Sequence, residues 1–506
     1  MNNLEKAYYD AVSESHIKEY GQFYTSKIAA NFMIKWLIKD GVTDIYDPAF
    51  GMGAFYDAGI HLSNKIKFTA NEVDKCSYDF YLRNSTSNLS NLVLRNVDYF
   101  SIWNEKEKYN AIVCNPPYLK FQNVKNRNLI FKKLSDSVGS KVSGYTNMAS
   151  AFLLKAVHDL ANNGKLAFIM PLEFLNAGYG SIVKEYLLNN GTIENIIQIK
   201  DEKGVFKSVV TTVCIVLFVK GKKGSCVTFS KIDDVNNFIP LNCNQINLTN
   251  INLKNKWQHY FDGEASFSHI GFVPLSQYGK FKRGIATGAN EFFALNLSDT
   301  RKYKFLESEF RFCITKSSQI KKSILDDEDL LALANSDEKI FVFSVNKENV
   351  SKEAMTYIAY GESQGFNQRY LTKNRKCWFE LEKREIPEIL FGVFSRNKYK
   401  IIRNKTKAIS LTCYHGFTLN ADIDKKIIDR IFIYLKSDLA TKSISNNKRI
   451  YGSDLIKFEP NDLSNVLVPS LEQLRLMSDS FVSKQMKNIE LYDCLDKKGN
   501  DFINNL

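Results

Sequence analysis

The stretch TDIYDPAFGMG, from Thr43 to Gly53, decides the fold of the first half of the chain. Thr43–Asp47 predicts a short strand, and the glycines after it predict a tight turn into a helix that begins near Gly53. An acidic residue at a strand end, followed by small residues, lets the backbone approach a ligand closely. The stretch therefore predicts a ligand site at the carboxyl end of a strand, with a plain strand-to-helix turn as the competing interpretation.

The segments that follow alternate between strand and helix patterns. Lys67–Val73, Tyr109–Cys114 and Lys165–Pro171 predict strands, and Met148–Ala161 carries apolar residues at helical spacing until Asn163-Gly164 stops it. This alternation is typical of an α/β fold, in which a mostly parallel sheet carries helices on both faces. We therefore expect the ligand site to lie at the carboxyl ends of the strands of such a sheet.

The end of this region breaks the alternation. Thr192–Lys200 and Thr211–Lys220 predict two strands with no helix between them, so we expect them to pair as an antiparallel hairpin. After Lys223 the alternation stops, and residues 225–260 are interpreted as a strand-bearing connector. We expect a domain boundary between residues 240 and 265.

Two more acidic residues lie at strand ends: Glu72 at the end of the predicted strand Lys67–Val73, and Asp98, in LRNVDYF, after the third strand-like segment. Glu72 is placed to accept hydrogen bonds from ribose hydroxyls, and Asp98 from the exocyclic amine of an adenine. The turn after Asp47 has no lysine of the G-K-[ST] type, which disfavours a triphosphate ligand. A positively charged sulfonium cofactor would suit these carboxylates.

The second chemical motif is Asn115-Pro116-Pro117-Tyr118, directly after the strand Tyr109–Cys114. The prolines fix the chain and supply no backbone donors, so the carbonyls there can face a cleft as acceptors. An amide oxygen beside a rigid carbonyl could hold an amino group on a planar ring, and Tyr118 could stack on that ring. The alternative is a proline-rich loop with a surface tyrosine.

The charge of the chain is uneven. Lys and Arg number 68 against 55 Asp and Glu, a net of +13, and residues 351–450 alone carry 20 basic and 10 acidic side chains. Residues 369–407 carry 12 basic and 4 acidic residues, interleaved with Tyr370, Trp378, Phe391, Phe394 and Tyr399. This surplus predicts a surface for a polyanion, with nucleic acid the first candidate, although a solvated lysine-rich surface would give the same count.

Composition also limits where the chain works. The longest apolar run, Thr212–Val219, is far shorter than the ~20 residues that cross a bilayer, and the N-terminus lacks a signal-peptide pattern. The nine cysteines form no C-x-x-C pair, which argues against a zinc site and a disulfide framework. We expect a cytoplasmic protein with no membrane segment and no metal.

Taken together, these motifs resemble N6-adenine DNA methyltransferases of the gamma class, in which the cofactor motif precedes an N-P-P-Y loop. The segment Gly21–Ser26 (GQFYTS) resembles the family's G-x-[FY]-[YF]-T-P segment, with Ser26 in place of proline. The resemblance implies a Rossmann-like sheet with an antiparallel terminal hairpin, S-adenosyl-L-methionine as cofactor, and a target adenine rotated out of duplex DNA.

The resemblance also implies a set of site residues. The catalytic loop would be Asn115, Pro116, Pro117 and Tyr118, and Phe206 in GVFKS would stack on the target base opposite Tyr118. The cofactor contacts would be Tyr24, Thr25, Asp47, Pro48, Ala49, Gly51, Gly53, Glu72, Val73, Asp98, Tyr99, Asn115, Pro117 and Phe152.

The C-terminal half carries three segments that resemble the recognition domain of this family: Lys282–Asn290, Asn374–Phe379 and Tyr451–Pro469. We expect a catalytic domain over residues 1–245, a mixed α+β target-recognition domain over residues 265–470, and a helical segment over residues 471–506. The candidate DNA contacts are Lys282, Arg283, Thr287, Asn290, Arg369, Lys373, Arg375, Arg396 and Arg403.

The hypothesis is therefore a site-specific enzyme that methylates N6 of adenine in double-stranded DNA, as the modification part of a restriction–modification or host-defence system. The chain shows no D-x-n-[DE]-x-K nuclease signature, so a companion endonuclease would lie on another chain. Three alternatives stay open: an N4-cytosine DNA methyltransferase, an RNA or protein-glutamine methyltransferase with the same loop, and a recognition subunit that is active only with partners.

Overall fold

The structure is a computed structural model that describes most of the chain. It describes residues 3–23, 25–103, 108–119, 127–142, 146–199, 212–236, 238–253, 256–263, 269–396, 398–451 and 455–506. The chain divides into two compact units, the first essentially Met1–Ser266 and the second Phe267–Ile450 with Asp454–Leu506.

The first unit is built on one large sheet. Among the described residues, nine strands pair in the order β3-β2-β1-β4-β5-β7-β6-β8-β9. Strands β1 to β5 pair in parallel, whereas β7 is antiparallel to both β5 and β6. These strands are β1 Asp44–Asp47, β2 Lys67–Glu72, β3 Leu92–Asn96, β4 Tyr109–Cys114, β5 Leu160–Pro171, β6 Gly191–Ile199, β7 Val213–Lys220, β8 Cys226–Ile232 and β9 Leu241–Asn247. The α/β fold with an antiparallel hairpin is confirmed.

Helices cover both faces of this sheet. Alternate residues of β4 point to opposite faces: Ala111 and Val113 join one buried apolar cluster, and Ile112 and Cys114 join the other. Because both faces are covered, the buried parts of the central strands are largely apolar, as in residues 111–114 of β4. The helices are α1 Asn3–Ala11, α2 Glu14–Tyr20, α3 Lys27–Ile38, α4 Ala54–Leu62, α5 Lys75–Asn84, α6 Arg127–Val138, α7 Met148–Asp159 and α8 Gly180–Asn190.

Two boundaries differ from the sequence prediction. Helix α7 ends at Asp159, and β5 begins at Leu160, so the helix does not continue to Asn163-Gly164. Asn163 instead adopts a left-handed conformation (φ 63°) inside β5, where the pairing with β4 shifts register. Strands β8 and β9 extend the sheet through the region interpreted as a connector, so the first unit extends past residue 245.

The second unit mixes short strands and helices. Strands β11, β20, β16, β18 and β14 form one sheet, and β12, β15, β13 and β19 form another. Strand β10 pairs with β23, and β17, β22 and β21 form a three-stranded sheet in that order. The strands are β10 Phe272–Pro274, β11 Gly279–Arg283, β12 Ala294–Leu295, β13 Phe310–Ile314, β14 Ile324–Leu325, β15 Phe341–Phe343, β16 Ile389–Gly392, β17 Phe394–Ser395, β18 Ile401–Asn404, β19 Ile409–Ser410, β20 Tyr414–Leu419, β21 Arg449–Tyr451, β22 Leu455–Lys457 and β23 Leu467–Pro469.

The C-terminal helices belong to the same body as these sheets. Met477, Met486 and Ile503 are buried in one cluster with Ile431 and Phe432, so residues 471–506 do not form a separate segment. The helices of the unit are α9 Asn290–Phe293, α10 Leu297–Lys302, α11 Asp327–Asn335, α12 Lys352–Ser363, α13 Tyr370–Lys373, α14 Ile427–Leu435, α15 Asp438–Ser445, α16 Pro460–Ser464, α17 Leu471–Arg475, α18 Asp479–Tyr492 and α19 Lys497–Asn504.

None of the helices in the described ranges of either unit combines the length and apolar character needed to cross a bilayer. In the same ranges, no three His, Cys, Asp or Glu side chains converge as a metal site would require.

Candidate active site

A cleft lies at the carboxyl ends of β1, β2 and β4, and it encloses about 750 Å³, part of which is open to solvent. Many of the residues singled out from the sequence line it: Thr25, Pro48, Ala49, Gly51, Glu72, Val73, Asp98, Tyr99, Asn115, Pro116, Pro117 and Phe152. Asp47, Gly53 and Tyr118 lie close to the cleft in sequence but are not part of its lining. Tyr24 and Phe206 lie outside the described residues.

The turn after β1 is held in a fixed shape. The Ala49 N–H donates to Oδ1 of Asp47 at 3.1 Å, and the Phe50 N–H donates to the Asn71 carbonyl at 2.9 Å. Gly53 has a left-handed φ of 73°, and a Cβ there would lie 2.7 Å from the Tyr81 ring. Glycine is therefore required at this position both by conformation and by space.

Glu72 joins this turn to the end of β2. Its Oε2 accepts from the Gly51 N–H at 2.7 Å and its Oε1 from the Asp74 N–H at 2.8 Å. The side chain is only 7% exposed, and burial raises the pKa of its carboxyl to about 7 against the pull of these two hydrogen bonds. Glu72 thus offers the cleft a carboxylate whose position is fixed by the backbone.

The N-terminal segment is tied to the same region through Asp74. Its Oδ2 accepts hydrogen bonds from Tyr8 at 2.8 Å and Gln22 at 2.7 Å, and it pairs with His16 at 2.8 Å. Gln22 lines the cleft, and its Oε1 is buried with no hydrogen-bond partner among the described residues. Gln22 belongs to the GQFYTS segment, but no residue pattern there predicted that its side chain lines the site.

The Asn115 side chain is oriented by two acceptors. Its Nδ2 donates to the Phe23 carbonyl at 2.6 Å and to Oγ1 of Thr25 at 3.1 Å. A backbone carbonyl can only accept, so the amide nitrogen must face Phe23 and the oxygen must face away from it. That Oδ1 is buried and has no hydrogen-bond partner within the described ranges. A buried acceptor without a partner lowers the stability of the folded protein by about 1–3 kcal/mol. The Asn115 oxygen is therefore a candidate acceptor for a donor group of a ligand.

Aromatic side chains flank this amide. The rings of Tyr118 and Phe23 lie 5.1 Å apart between centroids, and the Tyr118 N–H donates to the Gly21 carbonyl at 3.2 Å. The Asn-Pro-Pro-Tyr loop and the N-terminal segment are therefore locked together. On the far wall, Phe152 packs edge-on against Phe100 at 5.0 Å.

The loop after β3 is also fixed. Asp98 is exposed at the cleft, and its Oδ1 accepts from the Phe100 N–H at 2.9 Å. The Tyr99 hydroxyl donates to Asp159 at 2.8 Å, and Asp159 pairs with Lys155 at 2.6 Å. Among the described lining residues, the charged ones are Glu72 and Asp98, with no lysine or arginine. Such a lining repels polyphosphates and favours a cationic ligand.

Ionisation of the buried Asp47 carboxyl destabilises the folded protein, and thermal unfolding at different pH values measures this effect. It is fully buried, and burial raises the pKa of its carboxyl to about 8, with the Glu72 charge adding to the rise. The folded protein holds this proton more tightly than the unfolded chain does. The contribution of Asp47 to the free energy of unfolding therefore falls as pH rises from about 4 to about 8. We expect Asp47→Asn to raise the thermal unfolding midpoint of the ligand-free protein by roughly 2 °C near pH 8.5, and by less near pH 5.

Asp159, in the same unit, is a buried carboxyl whose pKa is shifted in the opposite direction. Burial alone would raise the pKa of its carboxyl, but hydrogen bonds from His158, Lys155 and Tyr99 hold it below its usual value. Asp159→Asn should therefore lower the midpoint under the same conditions, because it leaves Lys155 buried without its counter-charge. A lower midpoint for Asp47→Asn at pH 8.5 would contradict the assigned charge penalty.

Most candidate DNA contacts in the second unit lie at its surface. Lys282 and Arg283 are exposed, and they pair with Glu385 at 3.4 Å and with Glu459, respectively. Arg369 pairs with Glu291 at 2.8 Å. Asn290, Lys373 and Arg396 are also exposed.

Three candidates are instead engaged inside the unit. Thr287 is 1% exposed and binds Asn290 and the Ala289 N–H. The Arg403 guanidinium donates to Asp429 at 2.6 Å and to the Glu388 and Asn404 carbonyls. Arg375 donates to the Ala286 and Trp378 carbonyls. Arg375 and Arg403 are candidate DNA contacts whose guanidinium groups already donate to backbone carbonyls of the unit, and that of Arg403 also to Asp429.

Comparison with known proteins identifies the class. Residues 9–271 match the N-6 DNA Methylase family, and residues 264–502 match the C-terminal domain of Type II methyltransferase M.Eco57I. The chain therefore belongs to the N-6 DNA Methylase family and is a DNA methyltransferase with S-adenosyl-L-methionine as its methyl donor.

Individual relatives narrow this class. The chain is 34% identical to Type II methyltransferase M.AccI of Acinetobacter calcoaceticus, over 100% of this chain and 95% of that protein. It is 22% identical to Type II methyltransferase M.XamI of Xanthomonas campestris pv. amaranthicola, over 90% of this chain and 86% of that one. Its fold is similar to that of the Type IIL restriction–modification enzyme MmeI, solved in complex with DNA (TM-score 0.66, 14% identity, 99% of this chain and 77% of that chain). The chain is a methyltransferase of the restriction–modification type.

Proposed function

We propose that this methyltransferase modifies N6 of adenine in duplex DNA, with the gamma-class order of motifs, and protects sites that a companion endonuclease on another chain would cut. The observation that carries the proposal is the Asn115 amide, whose nitrogen is anchored and whose buried oxygen has no partner among the described residues. An acceptor held in this way suits a donor such as the amino group of a purine ring.

The cleft fits the family's cofactor. S-adenosyl-L-methionine, when bound, supplies an electrophilic methyl group carried by a sulfonium. Glu72 would accept hydrogen bonds from the ribose hydroxyls and Asp98 from the adenine amine, while Phe152 would pack against the adenine ring. Asp47, buried beneath the cleft, would act by holding the Pro48–Gly53 turn through its bond to the Ala49 N–H.

The target base must leave the duplex to reach Asn115. Extruding an adenine costs a few kcal/mol of stacking and pairing. Tyr118 would recover part of this cost by stacking on the base, at ~1–3 kcal/mol per base. Phe206 is proposed as the second stacking residue from the sequence resemblance alone, because it lies outside the described residues.

Asn115 and Pro116 would then prepare the amine for attack. The N6 lone pair of adenine is delocalised into the ring, so the amine is a poor nucleophile. If Oδ1 of Asn115 and the Pro116 carbonyl accept its two hydrogens, the nitrogen can become pyramidal and its lone pair less delocalised. By fixing N6 in one position, Asn115 and Pro116 would also supply the orientation on which much of the remaining acceleration depends.

Sequencing of modified bases would test this proposal. The gene should be expressed in a host that lacks other methyltransferases, and its DNA read by a long-read method that distinguishes modified bases. We expect N6-methyladenine at one recurrent sequence and unmodified DNA in a host that carries Asn115→Ala. Methylation of cytosine N4 at the recurrent sequence, or of RNA or protein glutamine with unmodified DNA, would select the corresponding alternative. Activity of the purified chain would exclude a subunit that needs partners.

A further inference from the structure

The strongest unassigned feature of the second unit is an exposed tyrosine in the basic stretch 369–407. Of the six aromatic residues there, Phe391 is buried, and Trp378, Phe379 and Tyr399 are half-buried, so these four pack the unit, whereas Phe394 is 56% exposed. Tyr370 is 82% exposed. Tyrosine and arginine are enriched at binding surfaces, so an exposed tyrosine on a fixed backbone among cationic neighbours is a candidate contact.

The backbone beneath Tyr370 is rigid. Thr372 is fully buried, and its hydroxyl donates to the Phe366 carbonyl at 2.5 Å and the Arg369 carbonyl at 3.0 Å. The Lys373 N–H donates to the Arg369 carbonyl at 2.8 Å, and the Asn374 side chain donates to the Tyr370 carbonyl at 2.6 Å. The ring therefore projects from a fixed support, which reduces the entropy lost on binding.

This support joins two segments that the sequence analysis singled out separately. Leu371 covers Gly288, where an added Cβ would lie 2.7 Å from the Leu371 side chain. Arg375 donates to the Ala286 carbonyl, and Arg369 pairs with Glu291 at 2.8 Å. Residues 285–291 and 369–376 thus form a single surface, which we name the Tyr370 patch.

The exposed charge of this patch is largely positive. Lys373 and Lys376 are exposed beside Tyr370. The Arg369 guanidinium lies 4.7 Å from the Phe366 ring centroid, and this contact fixes its orientation. Glu291 already faces Arg369, so the two lysines remain available to anionic groups. Cations around a stacking platform are the combination that binds nucleic acid.

We propose that the Tyr370 patch contacts DNA, with the Tyr370 ring stacked on a base of a locally opened step and Lys373 on a neighbouring phosphate. The inference rests on the proposed function, since it assumes duplex DNA as substrate. Stacking on an aromatic side chain changes affinity about 5- to 150-fold, whereas one phosphate contact changes mainly the salt dependence.

The proposal is tested by measuring the Kd of the chain for a fluorescein-labelled duplex of about 30 base pairs. The duplex contains the sequence found modified in the host. We expect Tyr370→Ala to raise the Kd at least about 5-fold and Tyr370→Phe to keep it near wild type. Tyr492→Ala is the matched control, because Tyr492 is 71% exposed in the same unit and lies beside Asp493 instead of lysines. It should bind as the wild type does.

The salt dependence separates the two contacts. Lys373→Gln should reduce the slope of log affinity against log salt by about 0.9, and Tyr370→Ala should leave that slope unchanged. Wild-type affinity in Tyr370→Ala, or an equal loss in Tyr492→Ala, would overturn the inference. Failure of the wild-type chain to bind or methylate this duplex would instead overturn the proposed function.

Discussion

Asn115→Ala is expected to slow methyl transfer to DNA by about 100-fold or more while S-adenosyl-L-methionine binds within about threefold of its wild-type affinity. The variant removes the buried Oδ1 that would accept a hydrogen from the target amine. Loss of one preorganised polar contact at a reacting centre typically costs 10²–10³ in rate. The cofactor contacts of Glu72, Asp98 and Phe152 remain in place, so binding and chemistry should separate.

Asn176→Ala is the matched control for this experiment. Asn176 also has an Oδ1 that is buried and lacks a partner among the described residues, but it does not line the cleft. Single-turnover transfer of labelled methyl should be close to wild type in Asn176→Ala and strongly reduced in Asn115→Ala. Equal rates in the two variants would mean that the Asn115 amide only packs the loop.

Glu72→Gln is expected to weaken cofactor binding by about 10- to 100-fold near pH 8, the second largest effect. Both carboxylate oxygens accept from backbone N–H groups, of Gly51 and Asp74, so an amide would place its NH₂ against one of these donors. A neutral acceptor would also form weaker hydrogen bonds to ribose hydroxyls, since bonds to charged groups contribute about 1.5–3 kcal/mol each.

The pH dependence of cofactor binding provides a second test of the role of Glu72. Burial raises the pKa of Glu72 to about 7 in the free protein, so the binding form is lost as pH falls below that value. The wild-type Kd should therefore increase between about pH 8 and pH 6, approaching tenfold per unit, and Glu72→Gln should lack this contribution.

Titration calorimetry at both pH values, with Glu194→Gln as a control, measures this dependence. Glu194 also lies in a strand of the first unit, but it pairs with Lys222 at 3.1 Å, away from the cleft lining. Wild-type affinity in Glu72→Gln would show that the carboxylate does not hold the cofactor.

The sequence predicted the cleft because parallel strands bring their carboxyl ends to one edge of a sheet. Asp47 and Glu72 are the last residues of β1 and β2, and Asn115 directly follows β4, so their proximity is determined by topology alone. Gln22 and the Phe23 carbonyl could not be predicted in the same way. They reach the cleft because Asp74 binds Tyr8, His16 and Gln22 across more than fifty residues of chain, a tertiary contact with no local signal.

The basic surface shows the same limit. The excess of lysine and arginine is visible in the sequence, but whether a guanidinium group is available depends on its neighbours. Arg403 is held by Asp429 and two carbonyls, and Arg375 by the Ala286 carbonyl. Tyr370 and Phe391 are equally aromatic in sequence, yet one is exposed and the other is in the core.

The most direct test of the account is a crystal structure of the chain with duplex DNA and a non-reactive cofactor analogue. The account predicts an extruded adenine whose N6 lies ~2.7–3.2 Å from Oδ1 of Asn115, with the Tyr118 ring against the base. An adenine that stays in the duplex, or an Asn115 side chain whose oxygen faces away from the base, would contradict it.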